Sequence, residues 1–450
     1  MIPQTPNTDL SSSEASSASM VDDDAMNIVL SSSSTNSISS TSSLPLIKEG
    51  DTILIKLNSG SMILQQHVKP ETQVKIGKKQ TIALKHLIGQ PYYAYYEVIG
   101  PSSDSSDGDG QSEKDKKKNN KSSSSVLIKR MLYDPDKEEA MTFEPGDEEQ
   151  SAEEQQMDDE EKLNRLIDDN RSQTLTQDEI LELKKQGVEG KEIINKLIEG
   201  SKSFQVRSQF SQQKYLKRKK KKYLTYFKVI DPSAYDICDF YFIKNPEKIS
   251  HMRVDGLAQL LTLGSVFPNR KVMVMETCMG LVTAAVFERI GQYGEIIRVC
   301  PDDMIGKHVH AVTYLNIHKG VANAVIKDVS FGKLAYVRNS ETNAMQDEAV
   351  VSEEYLVDCL LIATNQFDPL SVLSNLYPFL RESGTFAIYS SYRECLEQCH
   401  NKLKEDKSAV LVQLTETWMR EYQVLPKRTH PMMTTSSSSG YILSGIKTFV

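Results

Sequence analysis

Lys271-Val272-Met273-Val274-Met275, running on into Glu276-Thr277-Cys278-Met279-Gly280-Leu281-Val282, is the stretch whose reading decides the fold. An apolar run without polar alternation reads as a strand buried on both faces, the kind that lies in the middle of a parallel sheet. Gly280 then opens a helix, Leu281 to Ile290. A buried strand that passes through a turn directly into a helix is the first unit of a β/α alternation. The turn is poor in glycine, however. A ligand that approaches backbone at such a turn needs positions without a Cβ, and Met279, Leu281 and Val282 surround the single glycine with bulk. A closed pocket is the expectation.

Outward from this point the alternation continues. Leu257, Leu260 and Leu261 have helical spacing before the strand. After it come strand Ile296 to Val299, helix Asp303 to Leu315, strand Cys359 to Ile362, helix Pro369 to Leu380, strand Thr385 to Tyr389 and helix Tyr392 to Leu403. Val410 to Leu414 and Tyr441 to Ile446 close the series. Residues 246–450 therefore read as a doubly wound α/β domain with an antiparallel final strand, an architecture that resembles Rossmann-like methyltransferases. Its cofactor site is degenerate. The second strand ends Val299-Cys300-Pro301 without a carboxylate to hold ribose hydroxyls, and Asp302 and Asp303 come late enough to read as helix caps. Past the fourth strand, Ile362-Ala363-Thr364-Asn365-Gln366 offers no acid or base to take a proton.

Ahead of this domain, Thr52 to Leu57, Ser61 to Gln66, Thr72 to Ile76, Gln80 to Leu84 and Tyr92 to Val98 are short β-like runs punctuated by Asn58, Gly60, Gly77 and Gly89, which together read as a small antiparallel barrel or sandwich. Two helices follow: Thr176-Gln177-Asp178-Glu179 makes a capping box for a helix ending at Gly187, and Glu189 to Glu199 is closed by Gly200. The fold class is thus an α/β C-terminal Rossmann-like domain preceded by a β-barrel-like N-terminal domain with helices, over 45–243. Residues 1–44 are Ser-rich with few aliphatics and are expected to be disordered. The polar segment 101–125 interrupts two β-like runs as an expanded loop.

The chain of 450 residues has a formal net charge of −8. Against that background Lys214-Tyr215-Leu216-Lys217-Arg218-Lys219-Lys220-Lys221-Lys222-Tyr223 packs seven cations into nine positions. Nucleic-acid phosphates are the best-matched partner, because cationic side chains gain affinity by releasing condensed counterions, and the flanking tyrosines could stack on unpaired bases. A nuclear localisation signal or a solvated helix face is the alternative. Acids outnumber bases heavily from Asp134 to Glu161, which makes that connector an electrostatic competitor to consider. No apolar run is long enough to span a bilayer, and a soluble intracellular protein is expected. The six cysteines, Cys238, Cys278, Cys300, Cys359, Cys395 and Cys399, lie in or beside apolar segments and read as buried thiols. Cys395, Cys399 and His400 read as helix core rather than a metal cluster, so no structural zinc is expected.

Several motifs together carry a family resemblance: Ser172-Gln173-Thr174-Leu175-Thr176-Gln177, Phe210-Ser211-Gln212-Gln213-Lys214-Tyr215 with its basic tract, Lys248-Ile249-Ser250-His251-Met252-Arg253-Val254-Asp255-Gly256-Leu257-Ala258-Gln259, Met275-Glu276-Thr277-Cys278-Met279-Gly280-Leu281, and Trp418-Met419-Arg420-Glu421-Tyr422-Gln423-Val424-Leu425-Pro426. From about Leu46 onward, outside the low-complexity segments, the chain resembles the non-catalytic subunits of the eukaryotic tRNA methyltransferase that makes 1-methyladenosine at position 58, in the T-loop. The resemblance implies a degenerate paralogue of a catalytic subunit. It would bind tRNA without a cofactor of its own, S-adenosylmethionine being held by the partner in a two-plus-two heterotetramer in the nucleus. The RNA contacts it implies are Asn164, Arg165, Asn170, Arg171, Ser172 and Gln173; Lys214 to Tyr223, that is Lys214, Tyr215, Leu216, Lys217, Arg218, Lys219, Lys220, Lys221, Lys222 and Tyr223; Lys244, Asn245, Pro246, Glu247, Lys248, Ile249, Ser250 and His251; and Glu416, Thr417, Trp418 and Arg420. Arg253, Lys427, Arg428 and His430 add nearby positive charge. Two rival readings remain on sequence grounds. One is an autonomous S-adenosylmethionine-dependent RNA methyltransferase, the other a general RNA-binding translation factor.

Overall fold

A computed structural model describes residues 45–76, 80–101, 124–132, 173–186, 188–201, 204, 209–301, 305, 309–334, 353–424, 429–434 and 438–449. The expectations for residues 1–44, for Gly187, for Asp302 and Asp303, and for the acidic connector lie outside the described residues.

The N-terminal sheet has seven strands: β1 (Ile53–Leu57), β2 (Met62–Gln65), β3 (Gln73–Lys75), β4 (Gln80–Ala83), β5 (Tyr95–Pro101), β6 (Ser124–Arg130) and β7 (Tyr226–Ile230). Their order is β2-β1-β7-β5-β6-β4-β3. Inward-facing Ile53, Ile55, Val74, Ile82, Tyr96, Phe227 and Val229 belong to a single apolar cluster. β5 and β6 pair antiparallel, with Pro101 opposite Val126, and the expectation for the polar segment between them lies outside the described residues. Three helices connect β6 to β7: α1 (Gln177–Lys185), α2 (Gly190–Glu199) and α3 (Gln209–Tyr223). The Thr176–Glu179 capping box is present, each side chain bonding the other's backbone N–H. Glu97, buried on β5, accepts from the Gly190 N–H at 2.7 Å and so ties the start of α2 to the sheet.

The second domain opens with helix α4 (Ala234–Lys244), which contains Phe240-Tyr241-Phe242-Ile243, a run whose aromatic content alone would suit a strand. Ser233 and Asp236 form a capping box at its start, and Ala234, Ile237, Cys238 and Tyr241 recur at helical spacing on the buried face. That face packs in the core of the C-terminal sheet, so the boundary expected at residue 243 falls ahead of α4 instead. A 3-10 turn (Pro246–Ile249) and α5 (Val254–Leu263) lead into β8 (Lys271–Glu276), α6 (Leu281–Ile290) and β9 (Glu295–Cys300). Of the helix expected over Asp303 to Leu315, the described residues show only α7 (His310–Thr313). Then come α8 (Lys319–Val325), β10 (Ile326–Ser330), β11 (Val357–Ala363), α9 (Pro369–Leu376), β12 (Leu380–Ser390), α10 (Arg393–Glu405), β13 (Ala409–Glu416), the short pair β14 (Tyr422–Gln423) and β15 (His430–Pro431), and β16 (Tyr441–Lys447).

The sheet order is β10-β9-β8-β11-β12-β16-β13. Strands β10 to β12 run parallel, and β16 is antiparallel between β12 and β13. Counted within the domain this is 3-2-1-4-5-7-6, the doubly wound Rossmann-like methyltransferase arrangement with its antiparallel strand next to the edge. Alternate residues of β8 and β11 serve opposite cores. Val272, Val274, Cys359 and Leu361 pack with α4, α5 and α6. Met273, Met275, Leu360 and Ile362 pack with α9 and α10, where Cys399 is also buried. Order reverses between β8 and β11, so the carboxyl ends of these two strands mark the crevice where such a fold places a ligand.

Contacts between the two domains include Leu64 of β2, packed against the core of the second domain, and the hydrogen bonds of one side chain. Asn316, at φ +53, accepts from the Thr52 N–H at 2.6 Å and donates to the Thr52 carbonyl at 2.8 Å and to Asp231 at 2.7 Å.

Candidate nucleic-acid interface

At the crevice the chain fills its own ligand position. Glu276, the last residue of β8, turns back over the following helix. Its carboxylate accepts from the Val282 N–H at 3.1 Å, the Thr283 N–H at 2.6 Å and the Thr283 hydroxyl at 2.5 Å. Burial pushes this carboxyl up from its ordinary value, against the pull of those three donors. The free N–H groups that open a helix, a usual anchor for an anionic or polar ligand, are therefore already bonded. Met279 sits at φ +61, and its carbonyl accepts from the Ala311 N–H at 3.2 Å. A Cβ placed on Gly280 would meet Val309 Cγ1 at 2.1 Å, so the one glycine of the turn has Val309 against it where a cofactor would need room. The segment that begins α7 covers the turn.

The other lip of the crevice is equally self-satisfied. Thr277 N–H donates to the Ala363 carbonyl at 2.9 Å, and its hydroxyl donates to Asn365 at 3.0 Å. Burial pushes the Cys278 thiol up to about 12, which keeps it protonated, and it contacts Ser250 Oγ at 3.3 Å. Ala363 is buried, and among the described residues no carboxylate or imidazole occupies 363–367 at the tip of β11. With Val309 on Gly280 and Glu276 on the helix N–H groups, the described residues do not fit S-adenosylmethionine, and they place no proton acceptor at the end of β11.

The lysine tract is helical. Five of its residues turn inward or lie flat. Leu216 and Tyr223 pack against a buried cluster of Tyr95, Met131, Ile194, Leu224 and Tyr226, while Tyr215 meets Phe204 with ring centroids 5.5 Å apart. Lys219 lies over both tyrosine rings, 5.0 Å from Tyr215 and 5.6 Å from Tyr223, and Lys220 is half-buried. The opposite face exposes Lys214, Lys217, Arg218 and Lys222, of which Lys214, Arg218 and Lys222 recur every four residues, and the Lys222 ammonium also lies 5.2 Å from the Tyr223 ring. None of these four pairs with an acid among the described residues. Lys222, in the last turn of α3, is also favourably placed for a cation against the helix dipole. The arrangement is a row of unneutralised positive charge on a helix held by its own apolar face. The tyrosines expected to stack on bases instead anchor the helix and carry lysine ammonium groups over their rings. Lys221 lies in the helix, and its side chain is outside the described set.

Of the first group of expected contacts, Asn164, Arg165, Asn170, Arg171 and Ser172 lie outside the described residues. Gln173 is described: it donates to the Leu197 carbonyl at 3.2 Å and faces the Tyr215 hydroxyl at 3.5 Å, which brings it to the inner side of α3. The third group divides. Lys244, Asn245, Glu247, Lys248 and His251 are exposed and Pro246 is half-buried, but Ile249 and Ser250 are buried and serve the core. Ser250 and His251 both have positive φ, +54 and +58. The Ser250 carbonyl accepts from the Tyr389 hydroxyl at 2.9 Å and the Ser391 hydroxyl at 2.7 Å, and these clamps hold the strained turn that presents His251 to solvent. Arg253 is not part of a surface footprint. It is buried, paired with Asp255 at 2.6 Å, and donates to the Thr417 carbonyl at 3.5 Å. Through that bond the fourth group, Glu416, Thr417, Trp418 and Arg420, is tied to the segment carrying His251. Trp418 is 71% exposed. Around it the structure also exposes Met419, Tyr422, Val424, Met432 and Met433, an apolar set that the sequence reading missed and that its hydrophobic spacing in a polar loop would have flagged.

Comparison with known proteins places these features in a family. The model of the Gcd10p family matches residues 46–358. The Dictyostelium discoideum protein "tRNA (adenine(58)-N(1))-methyltransferase non-catalytic subunit trm6" is 32% identical over 451 residues, covering 89% of this chain and 79% of that protein. The Mus musculus protein of the same name is 32% identical over 360 residues, covering 62% of this chain and 72% of its own length. Among solved structures, an S-adenosylmethionine-dependent O-methyltransferase from Thermotoga maritima aligns with a TM-score of 0.48 at 12% identity, over 90% of this chain and 95% of that one. That likeness is loose, and the fold assignment rests on the strand order itself. With the family match running from the N-terminal sheet through the closed turn to the start of β11, the chain belongs to the Gcd10p family.

Proposed function

We propose that this chain is the non-catalytic subunit of a tRNA (adenine(58)-N(1))-methyltransferase, the function carried by the names of its relatives. The observation that supports the non-catalytic role most directly is the self-filled turn, where Glu276 bonds the helix start and Val309 lies on Gly280. A domain with the methyltransferase strand order and no room for the methyl donor is suited to binding substrate and partner. In this reading a catalytic subunit holds S-adenosylmethionine and methylates adenine N1, while the exposed cations of α3 hold tRNA phosphates. Phosphate contacts of this kind position an RNA without reading its sequence. Lys244, Lys248, His251 and Arg420 add to the footprint, and the apolar surface around Trp418 meets the partner subunit. A two-plus-two assembly in the nucleus completes the proposal.

Calorimetric titration of the isolated chain with S-adenosylmethionine tests the central point. No saturable heat is expected from the chain alone, while a complex with a catalytic homologue binds the cofactor and methylates a tRNA transcript. Methyl transfer by the isolated chain would make it an autonomous enzyme. Failure to co-purify with any catalytic homologue would favour a general RNA-binding factor. Native mass of the complex reads the stoichiometry, and fluorescence imaging of the tagged chain reads the compartment.

A further inference from the structure

The cationic helix stands beside described residues that precede and follow the most acidic stretch of the chain. Residues 134–161 carry fourteen carboxylates and one lysine, a net charge of −13, against seven cations between Lys214 and Lys222. Just upstream, Met131 is buried in the cluster against which Leu216 and Tyr223 of α3 pack. Downstream, Gln173 meets Tyr215 of the same helix. Met131 and Gln173, on either side of the acidic stretch in sequence, thus both lie at the inner face of α3, while Lys214, Lys217, Arg218 and Lys222 on the outer face have no acidic partner among the described residues. Reach is no obstacle. The exposed cations span about 12 Å along the axis, and ten residues of extended chain cover roughly 33 Å.

We infer that the outer face of α3 is a docking surface for the chain's own acidic stretch, residues 134–161, which competes there with polyanionic ligands. That the displacing ligand is tRNA rests on the function proposed above; the intramolecular docking does not. Tethering at both ends holds the carboxylates near the helix at an effective concentration on the order of millimolar, so even weak pairing occupies the face. An RNA displaces them by offering more phosphates and releasing condensed counterions. The competition subtracts a similar amount from every RNA that binds through α3, so at a given concentration a ligand that also engages surfaces beyond α3 stays bound where a weaker one is lost.

Carbodiimide coupling of the full chain at low salt, followed by peptide mass spectrometry, reads the docking directly. Cross-links from carboxylates of 134–161 are expected to fall chiefly on Lys214, Lys217 and Lys222, and to be suppressed by an unmodified tRNA transcript. In parallel, a variant with every Asp and Glu of 134–161 changed to Asn or Gln should bind the transcript at least about threefold more tightly at low salt, given millimolar tethering of a weak competitor. The gain should fade as salt screens the charges. Cross-links spread equally over the exposed Lys244, Lys248 and Lys404, or an unchanged affinity in the neutralised variant, would overturn the inference. If Lys217→Ala with Arg218→Ala left tRNA binding intact while the cross-links still mapped to α3, the RNA-binding reading would fail and the docking would stand.

Discussion

Replacing Lys214, Lys217, Arg218 and Lys222 with alanine should weaken tRNA binding steeply while leaving the fold in place. The four side chains are exposed and lack acidic partners among the described residues, and alanine is at least as good a helix former as lysine, so α3 should persist on Leu216 and Tyr223. The cations span about 12 Å along the helix axis. Phosphates follow one duplex strand at roughly 3.4 Å of axis each, so on the order of four lie within reach. Each lost contact flattens the plot of log affinity against log salt by about 0.7 to 0.9, which for four contacts is a slope change of about 3. Between 50 and 200 mM salt the intact protein should then lose roughly 60-fold more affinity than the variant. Near 0.15 M the variant should bind about 400-fold more weakly if all four contacts act by counterion release. Fluorescence anisotropy of a labelled transcript across a salt series, with circular dichroism to confirm the fold, makes the measurement. An unchanged slope with unchanged affinity would refute the reasoning. If nuclear entry alone were lost, the tract would be a localisation signal.

Three further outcomes follow from the same contacts. Met279→Gly should leave methylation by the assembled complex unchanged and should not create cofactor binding, read by calorimetric titration of the variant chain, since Glu276 and Val309 still fill the site. Asp255→Asn should destabilise the chain by about 1.5–3 kcal/mol, because it replaces the charged acceptor of buried Arg253 with a neutral amide while the bond to the Thr417 carbonyl remains. Desolvation would raise the Asp255 carboxyl, but its hydrogen bonds and the Arg253 charge prevail and hold it below the ordinary value; the stability it contributes is therefore present above the unfolded pKa and lost as pH falls through the folded one, and acid titration of urea midpoints should show that loss in the native chain and not in the variant. Asn316→Ala should cost about 1–3 kcal/mol and raise hydrogen exchange at Thr52 and around Asp231, where its bonds join the barrel to the Rossmann-like domain; exchange confined to global unfolding would show that the joint does not depend on this side chain.

The fold was legible where the pattern was local. Lys271 to Met275 and the turn after it announce a buried strand and a crowded ligand site, and α6 begins and ends where its spacing places it. The failures share a physical origin. Phe240 to Ile243 has strand composition, yet the Ser233–Asp236 capping box and the periodicity of Ala234, Ile237, Cys238 and Tyr241 set it in a helix; tertiary burial overrode propensity. The segment from Lys244 to His251 looks uniformly polar and basic, but clamps from Tyr389 and Ser391 draw Ser250 into the core, and those partners are far away in sequence. The same distance hides Val309, whose packing on Gly280 closes the turn from the other side of β9. For the lysine tract, charge pointed to the partner, whereas only burial shows that its tyrosines hold the helix instead of facing outward.

The self-capping carboxylate at the turn also changes how the domain responds to its surroundings. A protein that binds a cofactor in its native state gains stability in proportion to RT ln(1 + [L]/Kd), so its melting temperature follows the cofactor's concentration. Here the groups that would make that linkage are spent inside the chain: Glu276 holds the N–H groups of Val282 and Thr283, and Val309 lies against Gly280. The folded state thus contains an internal substitute for the ligand, present at fixed stoichiometry and never depleted. Its thermal stability should be indifferent to the supply of methyl donor, and the surface it offers to RNA should persist when that supply falls.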